Sequence, residues 1–203
     1  MGKLLVVDGC LRAPETSRTK RLAEHFLAAL CAACPGLERE DKRLIDMPLH
    51  PYVGEELEAR EALSRLGRTD DPIFAEARAF AAADVIAVAA PFWDLGLPAL
   101  VKVYIETVCA PGITFSYRPD GPRCRASRLV YITTRGGIYA RGELAWQEMG
   151  SRYLQALCGM WGIPRYDCLY AEGLDIEGND AGALLEEAFA RADALAKTFQ
   201  KPD

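Results

Sequence analysis

The chain has 203 residues, half of them apolar and 26% charged, with a formal charge of −5. Residues 1–203 therefore read as one domain with a real hydrophobic core, which excludes a disordered tail or a disulfide-dependent miniprotein. An acidic chain without a long basic run is also a poor nucleic-acid binder, because phosphate contacts need Lys and Arg.

Lys3 to Val7 is a short β-branched and Leu run, the signature of a buried strand, and it stops at Asp8-Gly9. A polar loop follows to about Ser17. From Thr19, Leu22, Phe26, Leu27 and Leu30 fall on one helical face, and Pro35-Gly36 ends that helix. A weaker strand is expected over Leu37 to Leu44. Asp46 to about Thr69 is an irregular, charged excursion carrying a polar helix from Glu55 to Leu66. Its Glu55, Glu56, Glu58, Arg60, Glu61 and Arg65 read as a solvated face.

Pro72 to Ala82 reads as a helix with Pro in its first turn. Val85 to Ala90 is the clearest buried strand, ended by Pro91. After the loop Phe92 to Pro98, a helix is expected from about Ala99 to Val108, then a short extended piece from Thr114 to Tyr117 and a turn at Asp120-Gly121-Pro122. Leu129 to Thr134 is a fourth strand, broken by Arg135-Gly136-Gly137. A helix over Leu144 to Met160 puts Trp146, Tyr153, Leu154 and Leu157 near one face. Arg165 to Tyr170 is a fifth strand, and the last helix runs from Asp180 to Lys201.

Five strands alternating with helices mean a parallel sheet covered on both faces. The fold expected is α/β, a flavodoxin-like doubly wound sheet of order 2-1-3-4-5. Ligands of such sheets bind outside the carboxyl ends of the strands, near the switch between strands one and three. Three loops meet that requirement: those after strands one, three and four.

The first loop ends in Thr16-Ser17-Arg18-Thr19 at a helix start, where hydroxyls, open amides and the helix dipole suit an anionic phosphate. Ser17 also suits a plain helix cap. No dinucleotide glycine fingerprint or P-loop is present. The second loop places Phe92 and Trp93 directly after a buried strand, suited to covering a flat heterocycle or to closing the core. Asp94 accepts a ring N–H or caps a turn. In the third loop Gly136 and Gly137 permit close backbone approach and positive φ, and Arg135 can answer negative charge on a ring.

Pro91-Phe92-Trp93-Asp94-Leu95 and the run Pro98 to Glu106 resemble the flavin loop and following helix of the FMN-dependent NADH-azoreductase family. So do Gly112 to Tyr117, Thr134 to Ile138, and Tyr170-Ala171-Glu172-Gly173. The likeness covers nearly the whole chain and is weakest from Asp46 to Thr69. It implies a flavodoxin-like homodimer that binds FMN and reduces quinones and azo compounds with NADH or NADPH. It implies FMN contacts from Gly9, Ser17, Arg18, Thr19, from Pro91, Phe92, Trp93, Asp94, Leu95, and from Thr134, Arg135, Gly136, Gly137. Phe115 and Tyr117 are expected to line the acceptor pocket, from the same or the partner subunit. The chain departs from the family in three places. Gly9 stands where a Ser is common, Trp93-Asp94 where Tyr-Asn is common, and the phosphate loop is about one residue longer.

Other readings stay open. A flavodoxin-type electron carrier would bind FMN without NAD(P)H turnover, and a non-catalytic FMN-binding protein is a further alternative. A Cys-dependent phosphatase would use Cys10, but C-x5-R fails because position 16 is Thr. No metal site is expected: Cys31 and Cys34 have no second pair at zinc spacing, and His25 and His50 read as solvent-facing. No apolar run approaches the roughly 20 residues that span a bilayer. The seven cysteines are odd in number and irregularly spaced. With no signal-peptide pattern at the start, a cytoplasmic location is expected.

Overall fold

A computed structural model describes residues 2–13, 15–121 and 123–200. Five parallel strands form one sheet: β1 (Gly2–Asp8), β2 (Leu37–Arg43), β3 (Val85–Ala89), β4 (Arg128–Thr134) and β5 (Arg165–Ala171). Their spatial order is β2-β1-β3-β4-β5, as the alternation of elements requires. Register runs Leu4 beside Val85, Val85 beside Arg128 and Arg128 beside Arg165. All five residues of β3 are buried, which is why its apolar run is unbroken.

Side chains alternate across the sheet and make two cores. Leu4 and Val6 face α1 (Arg18–Ala33) and α6 (Ala181–Lys197), joining Phe26, Leu30, Leu185 and Ala192. Leu5 and Val7 face the opposite layer, α3 (Ala75–Ala81), α4 (Ala99–Val108) and α5 (Met149–Trp161), joining Phe80, Tyr104, Leu154 and Trp161. β2 is an edge strand with a charged register, Glu38-Arg39-Glu40-Asp41-Lys42-Arg43, none of it fully buried. That composition hid its alternation.

The excursion carries α2 (Gly54–Arg65). Its face is not wholly solvated: Arg60 is buried, and its Nη2 donates to the carbonyls of Thr107 (2.9 Å) and Cys109 (3.2 Å). A helix leaves its last carbonyls without partners, so Arg60 caps α4 and pins the excursion to it. The guanidinium also lies over the rings of Tyr52 and Phe74, 4.9 and 5.3 Å from their centroids.

Other expectations need correction. The helix expected from Leu144 starts only at Met149. Ala145–Gln147 forms a 3-10 turn, and the Glu148 carboxylate caps α5 by accepting from the Ser151 amide. Trp146 is therefore 66% exposed instead of packed on the helix face. Thr114 to Tyr117 is not a strand of the sheet; a single bridge joins Pro111 and Phe115. Pro72–Phe74 is a 3-10 turn leading into α3. Asp180 caps α6 through the amides of Gly182 and Ala183, and a 3-10 turn follows at Thr198–Gln200. Pro122 of the expected turn and Lys201 of the expected helix lie outside the described residues. His25 is half-exposed, stacked on Phe189 with 4.4 Å between ring centroids and bonded to Asp193.

Candidate functional site

The three loops meet at the carboxyl end of the sheet because each begins by extending the ladder of its neighbour. The Gly9 amide donates to Ala89 O (2.7 Å), the Phe92 amide to Thr134 O (3.2 Å), and the Arg135 amide to Ala171 O (2.9 Å). Side chains then tie the loops to one another. The hydroxyls of Thr19 and Thr134, both buried, stand 2.6 Å apart.

At the first loop, the Ala13 carbonyl accepts from the amides of Thr16 and Ser17, each at 3.1 Å, turning the chain into α1. Ser17 is the cap: its Oγ accepts from the Lys20 amide at 3.2 Å. Helix geometry gives the amides of Arg18 and Thr19 no intrahelical acceptor, so they can serve an external anion. The Arg18 guanidinium is engaged elsewhere, donating to Leu174 O (3.1 Å) and to Asp175 Oδ1 (2.8 Å). It locks the start of α1 to the loop after β5. Beneath the turn, the Asp8 carboxylate is buried and paired with Lys20 Nζ at 2.6 Å. Lys20 reaches Glu24, which meets Arg39 of β2.

Gly9 is required by space. A Cβ there would stand 2.3 Å from Val101 Cγ2. The Ser common at this position would collide with α4, so the missing hydroxyl reflects tight packing of β1 on α4. The neighbouring Cys10 is 7% exposed. Burial, helped by the Asp8 charge, pushes its thiol up to about 12, which makes it a neutral packing group at physiological pH.

In the second loop Trp93 and Gly96 bond each other reciprocally, N to O at 3.2 and 2.8 Å. The two residues between them, Asp94 (φ 50°) and Leu95 (φ 65°), both adopt left-handed backbone. Asp tolerates this conformation, whereas Leu adopts it at a cost. The strain is held by α5, whose Met149 amide donates to Leu95 O at 3.0 Å. Trp93 is 36% exposed, and Arg12 from the first loop lies 6.0 Å from its ring centroid.

The third loop holds its shape through Arg135. The guanidinium is buried, 3.2 Å from Glu148 and 3.5 Å from Glu172, with the rings of Phe92 and Tyr170 at 5.6 and 4.7 Å. Glu172 also accepts from the amides of Tyr139 and Ala140, both at 2.9 Å. One cation thus gathers the loop, the start of α5 and the end of β5. Gly136 and Gly137 do not have the positive φ expected of them. Gly136 packs closely on the loop after β5, where a Cβ would stand 2.5 Å from the Asp175 carboxylate and make that side chain shift.

The donor set suits the FMN that the resemblance implies. Open helix amides and the Ser17 corner match an anionic tail, and the neighbouring loop carries a partly exposed Trp93. Phe115 and Tyr117 lie elsewhere in the same chain. They line a cavity of about 1000 Å³ against α2, α4 and α5 that no residue of the three loops enters. Sequence reading missed Arg12 and Glu148 and named Glu172 only within the Tyr170–Gly173 run; nothing in the sequence ties either acid to Arg135. Among the described residues no His, Cys, Asp or Glu cluster could hold a metal, and no helix is long and apolar enough to cross a membrane.

A family model described as Flavodoxin-like fold matches residues 2–196. An FMN-dependent NADH:quinone oxidoreductase 2 of Clostridium acetobutylicum is 32% identical over 98% of this chain and its own full length. An FMN-dependent NADH:quinone oxidoreductase of Caldicellulosiruptor saccharolyticus is 31% identical with the same coverage. An azoreductase crystal structure from Bacillus anthracis superposes with a TM-score of 0.85 at 26% identity, covering 98% of this chain and 100% of that one.

Proposed function

Since the chain belongs to the flavodoxin-like fold family, and within it to the FMN-dependent NADH:quinone oxidoreductases, we propose that it is an FMN-dependent NAD(P)H oxidoreductase acting on quinones and azo compounds. FMN, when bound, supplies the hydride chemistry; the chain supplies binding, orientation and electrostatics.

The observation that carries this reading is the fusion of the three loops by the Thr19–Thr134 contact and the Phe92–Thr134 amide bond. It brings the proposed phosphate corner and the aromatic loop to the same end of the sheet. The Ser17 corner and the amides of Arg18 and Thr19 hold the phosphate, while the Thr19 hydroxyl stays with Thr134. Pro91 to Leu95 cover the ring, with Trp93 as the exposed face. The amides of Gly136 and Gly137 face its polar edge, since the carbonyls of Thr134, Gly136 and Gly137 already accept from Phe92, Asp175 and Gly173. Arg18 and Arg135 act as positioning residues, because carboxylates already answer their charge. Gly9 lets α4 approach β1.

No side-chain nucleophile enters the scheme. Donor and acceptor use the crevice in turn, so reciprocal plots at varied acceptor are parallel lines. The Cys10 thiol, neutral and buried, argues against phosphatase chemistry. NADH is the donor that the relatives' names carry. Residues 1–203 act as one FMN-binding unit with 46–69 as a variable flank. The exposed Leu144, Trp146 and Met149 beside the crevice support a homodimer. Tyr117, 87% exposed, then reaches the acceptor pocket of the second copy together with Phe115. Seven free thiols support a cytoplasmic location.

The test is an absorption spectrum of the purified protein followed by anaerobic NADH. Flavin bands that bleach support the oxidoreductase. Bands that persist under NADH favour the electron carrier. A protein that stays colourless with excess FMN overturns the reading.

A further inference from the structure

We infer that Arg12 is the cation that answers the cofactor phosphate, and that its contact with Trp93 couples the phosphate corner to the aromatic loop. This rests on the FMN reading above.

Three cations, Arg12, Arg18 and Lys20, follow Gly9 within the next eleven residues. Two are engaged within the protein: Arg18 by Leu174 O and Asp175, Lys20 by Asp8 and Glu24. Further along the crevice Arg135 is held by Glu148 and Glu172. Arg12 differs. It is exposed, no carboxylate among the described residues pairs with it, and its guanidinium lies over the Trp93 ring, 6.0 Å from the centroid. It also directly precedes Ala13, whose carbonyl accepts from the amides of Thr16 and Ser17 at the start of α1.

Charge balance asks for such a group. A phosphate monoester carries about −1.5 to −2 near pH 7, whereas a helix N-terminus offers roughly half a positive charge. The remainder of the corner is acidic or neutral, with Asp8 and Glu15 close in sequence. A guanidinium can meet phosphate oxygens through its N–H edge while its flat face stays on an indole. Arg12 is therefore placed to bond the phosphate without leaving Trp93. That makes FMN recognition a joint property of two loops.

The test compares FMN with riboflavin, which has the ring but lacks the phosphate. Dissociation constants are measured by flavin fluorescence quenching for the wild type, Arg12→Met and Arg12→Lys. The expected result is a loss of about tenfold to a hundredfold in FMN affinity for Arg12→Met, with riboflavin nearly unchanged. Arg12→Lys recovers part of the FMN affinity, and wild-type FMN binding weakens more steeply with added KCl than that of Arg12→Met. Equal losses for both ligands would reduce Arg12 to a support for Trp93 and overturn the inference. So would an unchanged FMN constant, or Arg12→Lys as weak as Arg12→Met. A wild type that binds neither ligand would instead overturn the functional reading itself.

Discussion

The hydroxyls of Thr19 and Thr134, 115 residues apart in sequence, meet at 2.6 Å between the start of α1 and the end of β4. Both are buried, so each is the other's replacement for water. Thr19→Val leaves the Thr134 hydroxyl unpaired and is expected to cost about 1–3 kcal/mol. Thr19→Val/Thr134→Val should cost less than the two single changes together, because no orphan remains. Urea denaturation of the four proteins checks this; strict additivity would mean the hydroxyls do not interact.

Arg135 lies over the rings of Phe92 and Tyr170 and is paired with two carboxylates. Arg135→Met strands Glu148, whose side chain is only 7% exposed. A loss of about 3–5 kcal/mol is expected in chemical denaturation. A change below about 1 kcal/mol would show that the pair does not hold the loop.

The close packing at Gly9 predicts its own rescue. Gly9→Ser should destabilise by about 1–3 kcal/mol through overlap with Val101. Gly9→Ser/Val101→Ala should be more stable than the sum of the single effects predicts. Thermal unfolding reads both, and additive losses would place the strain elsewhere.

Leu95 adopts φ 65° with 40% of its surface exposed. Left-handed backbone costs an L-residue roughly 1–2 kcal/mol, and little burial offsets it. Leu95→Gly is expected to gain about 0.5–1 kcal/mol after the entropy of glycine is deducted. A lower melting temperature for the variant would instead make the Leu95 side chain a stabilising contact.

Cys10 gives a pH signature. Its folded pKa of about 12 lies above the ordinary 9.0 because burial and the Asp8 charge disfavour the thiolate. The unfolded chain releases this proton first as pH rises. The thiol's contribution is thus intact below pH 9 and declines between pH 9 and about 12. Cys10→Ala should flatten that part of the stability profile, and native Cys10 should resist iodoacetamide at pH 8. Rapid alkylation of Cys10 in the folded protein would contradict both statements.

The sheet was legible because its interior strands are apolar without interruption, as in Val85–Ala89. The edge strand β2 was faint because half-exposed charges break its alternation. The start of α5 was misread for a local reason: Leu144 and Trp146 continue the helical spacing, but the Glu148 carboxylate takes the Ser151 amide and begins the helix there. The crevice loops could be named from sequence, since they follow strand ends. The partners of their arginines could not. Arg18 meets Asp175 and Arg135 meets Glu172 only after β5 has closed the sheet. A cation facing a ligand and one facing a distant acid look alike in a sequence. Arg60 is the same case in α2, a charge on a polar helix whose receiver is the end of α4.

The charged register of β2 also bears on how copies of this protein coexist. A bare sheet margin invites another molecule's backbone to add a rung, and growth in that direction leads to fibres. Here an incoming strand would face Glu38, Glu40, Asp41 and Lys42 at once. Crowded solutions of this protein are thereby guarded against lengthwise zipping, even though the opposite end of the molecule displays tryptophan and methionine to whatever meets it.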